Sequence, residues 1–335
     1  MIKKLRKAKK SDDKKQPDKK LSSRITNDTV AQHREKVLAG GRKHKYPVQY
    51  TKYKLVWNTI IISSIGLVAL LVLVYLQLYV WKDTSELTYR ITRLLPVPAA
   101  SVDGEQVRYS DYLMYHRSTL SALAGQKEAN TADRIGFQKG QAMDRAVEAA
   151  YVRKLARQYN VTVTDQQVTA LQDKQQQDSG LSKSAYEAVV NDRLHWSMDE
   201  LKHALYMTLL KQEVAFTVDK TAFAHVSTIE KQLRANKSLA DIAKELGNKV
   251  QYVPDISVPK NNSDGGLTAT AARLPAGKVS PVTRSTNGDG YYFIQPSEIG
   301  KDTVKYSYLK VPLTVFKQDF EQLKKDNKIT YYVKP

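Results

Sequence analysis

The sequence predicts an α+β protein carried on a single transmembrane helix, with a mainly helical domain followed by a small α/β domain. Three observations predict this. Residues 55–81 form one long run without charge in a chain of 335 residues. From 110 to 214, apolar residues recur at helical spacing. Beyond Val214, short β-like runs broken by Gly and Pro alternate with helical pieces. The implied organisation is a basic tail without stable structure (1–54), the membrane helix (55–81), a linker (82–99), the helical domain (100–214), the α/β domain (215–311) and a terminal helix and strand (312–335).

The chain has 53 Lys and Arg against 34 Asp and Glu, a formal net charge of +19. Residues 1–54 alone hold 18 basic and 5 acidic residues, so most of the excess belongs to the tail. With few apolar side chains, such a segment buries too little surface to fold alone. Its charge suits contact with anionic membrane lipid. No Phe, Tyr or Trp occurs in residues 1–40, so there is no stacking platform for bases and no nucleic-acid partner is expected. The absence of cysteine excludes disulfides, thiolate metal sites, thiol nucleophiles and a Cys-linked lipid anchor. It fits a bacterial exported domain stabilised by its core alone.

Leu55 to Trp81 is 27 residues long, and at about 1.5 Å per residue it exceeds a hydrocarbon core of roughly 30 Å. Trp57 at one end, with Tyr75, Tyr79 and Trp81 at the other, forms interfacial belts. Arg42, Lys43, Lys45, Lys52 and Lys54 precede the run, while only Lys82, Arg90 and Arg93 are basic in the twenty residues after it. The N-terminus is therefore expected in the cytoplasm and the C-terminal part outside it, at a bacterial cell membrane. The apolar run is too long for a signal peptide, so the anchor should remain uncleaved.

Leu94-Leu95-Pro96-Val97-Pro98 reads as a rigid spacer. Asp103-Gly104 between two short apolar runs signals a hairpin, and Ser110 is placed to cap a helix beginning at Asp111. Val147, Tyr151, Leu155 and Tyr159 recur every four residues. Thr164 and Gln167 form a capping box. Ser182 or Ser184 opens a short helix through Tyr186, Val189 and Val190, and Met198, Leu201, Leu205 and Leu209 mark another. Leu233, Leu239, Ile242, Ala243 and Leu246 suggest two helical pieces ending at Gly247. Strands are expected at 250–253, 279–282, 291–294, 305–311 and 329–333. Gly288-Asp289-Gly290 reads as a hairpin turn. Pro312 should open a last helix with Phe316, Phe320 and Leu323 on its apolar face.

Chemistry-bearing patterns are sparse. His33, His44, His116, His195, His203 and His225 form no metal-ligand spacing, and no nucleophile elbow, phosphate loop or dinucleotide motif occurs. No metal, cofactor or catalytic residue is assigned. The chain has 20 Tyr against 6 Phe. Tyr109, Tyr112, Tyr115 and Tyr151 are candidates for an amphipathic client groove, with half-buried core tyrosines as the competing reading.

Ala156, Tyr159, Asn160, Val161, Val163, Thr164, Asp165 and Val168 carry a stretch that resembles the N-terminal chaperone domain of SurA- and PrsA-type extracytoplasmic foldases. Leu239-Ala240-Asp241-Ile242-Ala243-Lys244, the pair Gly265-Gly266, and Leu274, Gly277, Val279, Ser280, Pro281 and Val282 resemble a parvulin-type prolyl isomerase domain. The two likenesses together run from about residue 100 to 312. By this resemblance Tyr292, Phe293 and Leu274 are candidates for an isomerase cleft. Tyr292 stands where the family has a histidine, and the usual first strand with its own His is not visible ahead of Ile229. The resemblance thus implies a degenerate isomerase fold. It also implies that the last helix and strand return to the chaperone domain, with 329–333 pairing near 100–107. The function it implies is a membrane-anchored folding factor that holds unfolded or nascent exported polypeptides by apolar contacts, in a cleft between the two domains. An active prolyl isomerase and an envelope scaffold for one defined partner are the alternatives.

Overall fold

The computed structural model describes residues 26–45, 47–124 and 132–333. The lysine-rich stretch 1–25 lies outside the described residues. The chain divides into two units, Met1–Val74 and Tyr75–Pro335.

The first unit contains α1 (Asn27–Lys45) and most of α2 (Pro47–Tyr75). The helix α1 falls within the stretch expected to lack structure, and its described side chains are exposed. Its start is fixed locally: the Thr29 hydroxyl donates to the Thr26 carbonyl at 2.7 Å and accepts from the Thr26 N–H at 3.0 Å. The apolar helix Tyr53–Val80 is long and apolar enough to cross a membrane. Side chains from Tyr53 to Leu73 are all exposed, so none of the described residues covers this apolar surface.

The second unit opens with a π-helical turn, Leu76–Val80, whose Leu78 is buried. The predicted linker is instead folded: α3 (Glu86–Leu94) occupies it, capped by the Ser85 side chain and burying Thr88, Tyr89 and Thr92. Two threonines among its inward residues hide the helix from a hydrophobic pattern. The hairpin follows as β1 (Pro98–Val102) and β2 (Glu105–Arg108). Its turn residues Asp103 and Gly104 both have positive φ, +46° and +82°, as a two-residue turn matched to strand twist requires. The helix α4 (Tyr109–Ala124) begins one residue before Ser110, which therefore lies in the first turn and is not the cap.

Next come α5 (Ala132–Gln158), α6 (Asp165–Asp178), α7 (Lys183–Leu194) and α8 (Met198–Val218). Thr164 and Gln167 form the expected capping box, Ser182 caps α7, and Ser197 with Glu200 forms a second box on α8. Ala142, Met143, Ala146, Val147 and Ala150 are fully buried on α5. Four small or slender residues there let α4, α8 and the hairpin approach closely. Val168, Val190, Leu201 and Leu205 form a satellite core between α6, α7 and α8.

The second sheet is built after α9 (Lys220–Arg234) and α10 (Leu239–Leu246), which ends at Gly247 with φ +58°. Its strands are β3 (Gln251–Pro259), β4 (Thr283–Arg284), β5 (Gly290–Ile299) and β6 (Thr303–Pro312), with α11 (Leu267–Arg273) between β3 and β4. The order is β3-β6-β5-β4, all antiparallel. Residues 279–282 do not form the predicted strand. Ser280 exchanges hydrogen bonds with Ile294, at 2.8 Å through its N–H and 3.0 Å through its Oγ. Pro281 has no N–H to extend a ladder, so β pairing begins only at Thr283. Pro312 closes β6 rather than opening the last helix, α12 (Val315–Lys325). The final strand, β7 (Ile329–Tyr331), pairs with β1: Ala100 faces Tyr331, Ser101 faces Thr330 and Val102 faces Ile329. The first sheet is thus β2-β1-β7.

Candidate functional site

A cleft of about 700 Å³ opens between α5, α8 and α12, with the turn Asn287-Gly288 at one side. Helical pattern puts Val152 on α5, Ala204 and Met207 on α8, and Phe316 and Phe320 on α12 toward it. The two phenylalanines are parallel, their rings 6.3 Å apart, and Tyr151 of α5 stacks on Phe320 and tilts against Phe316, each at 5.8 Å. Phe316 and Phe320 line the cleft, though each is only 6% exposed.

Charges of both signs line the rim, and two of the lysines are paired. Lys211 meets Glu148 at 2.7 Å and also stands 5.8 Å from the Phe316 ring. Lys324 lies 3.5 Å from Asp144, 3.8 Å from Glu321 and 5.0 Å from the Phe320 ring. The cleft therefore sets narrow apolar patches of Phe316 and Phe320 beside charges of both signs. Among the described residues no group of His, Cys, Asp or Glu is arranged to hold a metal ion.

Two devices fix the walls. Gly288 has φ +69°, and a Cβ there would stand 2.3 Å from Gln212 Cγ. The turn can therefore press on α8 only with glycine at this position, and Gln212 Nε2 donates to the Thr286 carbonyl at 2.9 Å. Asp219, 1% exposed, joins α8 to α9. One carboxylate oxygen accepts from the Ala222 N–H at 2.8 Å and caps α9. The other accepts from the Thr314 and Val315 N–H groups at 2.8 and 3.2 Å. No side chain of its own first turn caps α12, so Asp219 satisfies its leading donors.

The sequence-predicted residues separate by location. Tyr109 and Tyr112 are core residues, 0% and 2% exposed, and offer no surface to a groove. Tyr109 donates to the Leu78 carbonyl at 3.1 Å and meets Tyr112 edge to face. Tyr115 lines the cleft, and burial pushes its phenol up to about 12. Tyr151 lies behind the wall that Phe316 and Phe320 form. Nearby, Asp111 is buried between Arg153 at 2.7 Å and His203 at 3.4 Å. Burial raises its carboxyl, but the His203 hydrogen bond and the Arg153 charge outweigh this and hold it below the ordinary range.

Tyr292 and Phe293 are buried on opposite faces of the second sheet. Tyr292 joins Ile294, Val304, Tyr306 and Leu267. Phe293 joins Ile229, Leu239, Ile242 and Leu309. Adjacent strand residues point to opposite sides, so these two cannot line one cleft together. The Tyr292 hydroxyl donates to Asp289 Oδ2 at 2.8 Å, and burial followed by that carboxylate raises its pKa. Leu274, at the end of α11, is half-buried.

Asp219, Gln212 and Lys211 escaped sequence reasoning. Asp219 before Lys220 carries a legible N-cap signal for α9. Its second role on α12 joins residues 95 apart and has no local signature.

Residues 52–215 match a family model described as SurA-like N-terminal domain, so the stretch from the apolar helix to the last part of α8 is similar to that domain. No curated protein and no solved structure matches the chain.

Proposed function

We propose that this protein is a membrane-anchored folding factor of the bacterial envelope that holds unfolded or nascent exported polypeptides in the cleft walled by Phe316 and Phe320. The observation that carries the proposal is the cleft itself: about 700 Å³, lined by Val152, Met207, Phe316 and Phe320, rimmed by charges of both signs, and bounded partly by residues similar to the SurA-like domain. Such a lining accepts apolar segments of varied sequence, and occupancy competes with their aggregation. Binding and release need no nucleotide. In this reading Tyr53–Val80 is the anchor, the lysine-rich tail stays in the cytoplasm beside anionic lipid, and the domains after Trp81 lie outside.

The segment from α9 to β6 is in this reading a parvulin-like domain that has lost catalysis. Three features support this. Tyr292 and Phe293 are absorbed in two separate cores. Residue 292 is tyrosine where the resembled family has histidine. Helix α8 runs to Val218 and α9 starts at Lys220, where that family would place a strand.

The test uses full-length chain in nanodiscs and a chemically denatured client diluted into aggregating conditions. The parent chain should suppress light scattering. Thr208→Trp, which fills the cleft from an exposed position on α8, should suppress it less. Absence of suppression at stoichiometric excess of the parent would remove the holding function. Equal suppression by both would move it to another surface.

A further inference from the structure

We propose that the outward face of α3 lies on the surface of a phospholipid bilayer, adding an amphipathic contact to the anchor. This rests on the reading of Tyr53–Val80 as membrane-embedded.

The polarity of α3 is inverted for a helix that covers a protein core. It buries Thr88, Tyr89 and Thr92, whereas Leu87 and Leu94 are 63% and 84% exposed. Leu87, Ile91 and Leu94 follow the i, i+4, i+7 spacing of one stripe. Arg90 falls on the same side of the helix, its side chain mostly exposed and its Nε 3.3 Å from the Glu86 carboxylate. Leucines interleaved with an arginine suit the boundary between headgroups and acyl chains. The stem of the arginine lies along apolar material while the guanidinium reaches phosphate.

Position in the chain selects lipid as the occupant. Glu86 follows Val80 by six residues, which span at most about 20 Å even when extended. Exposed Trp81 lies between them. The helix is also locked to the last turn of the apolar helix. Gln77 Nε2 donates to Asp83 Oδ2 at 2.8 Å and to Thr88 Oγ1 at 2.9 Å, and Thr88 Oγ1 donates to Asp83 Oδ2 at 2.6 Å. On its other side, Arg117 pairs with Glu86 at 2.5 Å and with Glu200, and covers the Tyr89 ring at 3.9 Å. A helix pinned twice this close to the apolar helix keeps its leucines beside the bilayer.

The chain has no cysteine, so single-cysteine labelling is unambiguous. Full-length Leu87→Cys and Leu94→Cys chains would carry a polarity-sensitive dye in nanodiscs of phosphatidylglycerol and phosphatidylethanolamine, with and without nitroxide-labelled lipid. Leu70→Cys, in the apolar helix, and exposed Lys249→Cys serve as references. The expected result is blue-shifted emission at both α3 positions with loss of intensity in nitroxide lipid, no such loss at 249, and loss at 70. Water-like emission at 87 and 94 with quenching at 70 overturns the proposal and leaves the anchor intact. A blue shift without quenching also overturns it, assigning the face to a client or a second copy. An unquenched label at 70 overturns the anchor and this proposal together.

Discussion

Asp219 is the joint through which the last wall of the cleft is held, and its removal has a calculable cost. Asp219→Ala deletes the cap of α9, a loss of about 1 kcal/mol. It also strips acceptors from two N–H groups at the start of α12. Hydrogen bonds to a charged group contribute at least about 1.5 kcal/mol each, so α12 loses about 3 kcal/mol and the whole about 4 kcal/mol. Asp219→Asn keeps the shape but only one accepting oxygen, so either α9 or α12 stays satisfied and the cost falls to about 2 kcal/mol. Amide hydrogen exchange of the full chain in nanodiscs reads this locally. At 1.4 kcal/mol per tenfold, protection across residues 315–325 should drop roughly a hundredfold in the Ala variant. Protection in α6, remote from the joint, should change little. Unchanged protection of 315–325 in both variants would refute the claim that Asp219 holds α12.

Three further outcomes are expected. His116 is 1% exposed, stacks on Tyr112, and neither ring nitrogen has a hydrogen-bond partner among the described residues. Burial, then Lys139, lowers its pKa from 6.5 to about 4; a depressed histidine stabilises the fold fully above 6.5, and that contribution is lost as pH falls toward 4. The loss is about 3 kcal/mol by linkage, and His116→Phe should abolish this acid sensitivity in denaturant titrations at pH 7 and pH 4. Gly288→Ala forces a side chain into a left-handed conformation against Gln212, costing about 1–2 kcal/mol before any shift of the turn. A variant with parental thermal stability would show that the turn does not press on α8. Tyr292→Phe removes a hydrogen bond to Asp289 and should cost about 1.5 kcal/mol in chemical unfolding. Turnover of a proline-containing peptide by the full chain should equal the uncatalysed rate with either residue, and a catalysed rate that falls on Tyr292→Phe would place the phenol in a working site.

Local chemistry was the legible part of this fold. Thr164 with Gln167, Ser182, Asp103-Gly104 and Gly247 each act through neighbours within four residues, and each appears where its sequence places it. The 291–294 and 305–311 strands were legible for a related reason: β-branched and aromatic runs bounded by turn residues leave few other conformations. Helix α3 was not, because its buried stripe is threonine-rich: Thr88, satisfied by Asp83 and Gln77, and Thr92, which donates to the Tyr89 carbonyl, carry no hydrophobic period. Pro281 and Pro312 also misled. Proline signals that a ladder stops or a helix can start, but only the neighbouring strand decides which. For the cleft, the aromatic face of α12 was readable from Phe316 and Phe320. Its partners were not, since Lys211, Asp219 and Gly288 meet it through folding alone. Tyr109 and Tyr112 show the limit of composition: amphipathic side chains suit a binding groove and an interior equally, and only the hairpin and the turn at Leu78 put them inside.

The partnership of β1 with β7 has a temporal consequence. Val102 emerges early in synthesis, yet the strand beside it contains Ile329. The helical domain can close its sheet only after the segment from α9 to α12 has been made. Contacts so distant in sequence form late. A chain interrupted anywhere before residue 329 therefore leaves β1 with an open edge, a marker of unfinished product that quality-control proteases and aggregation alike can read.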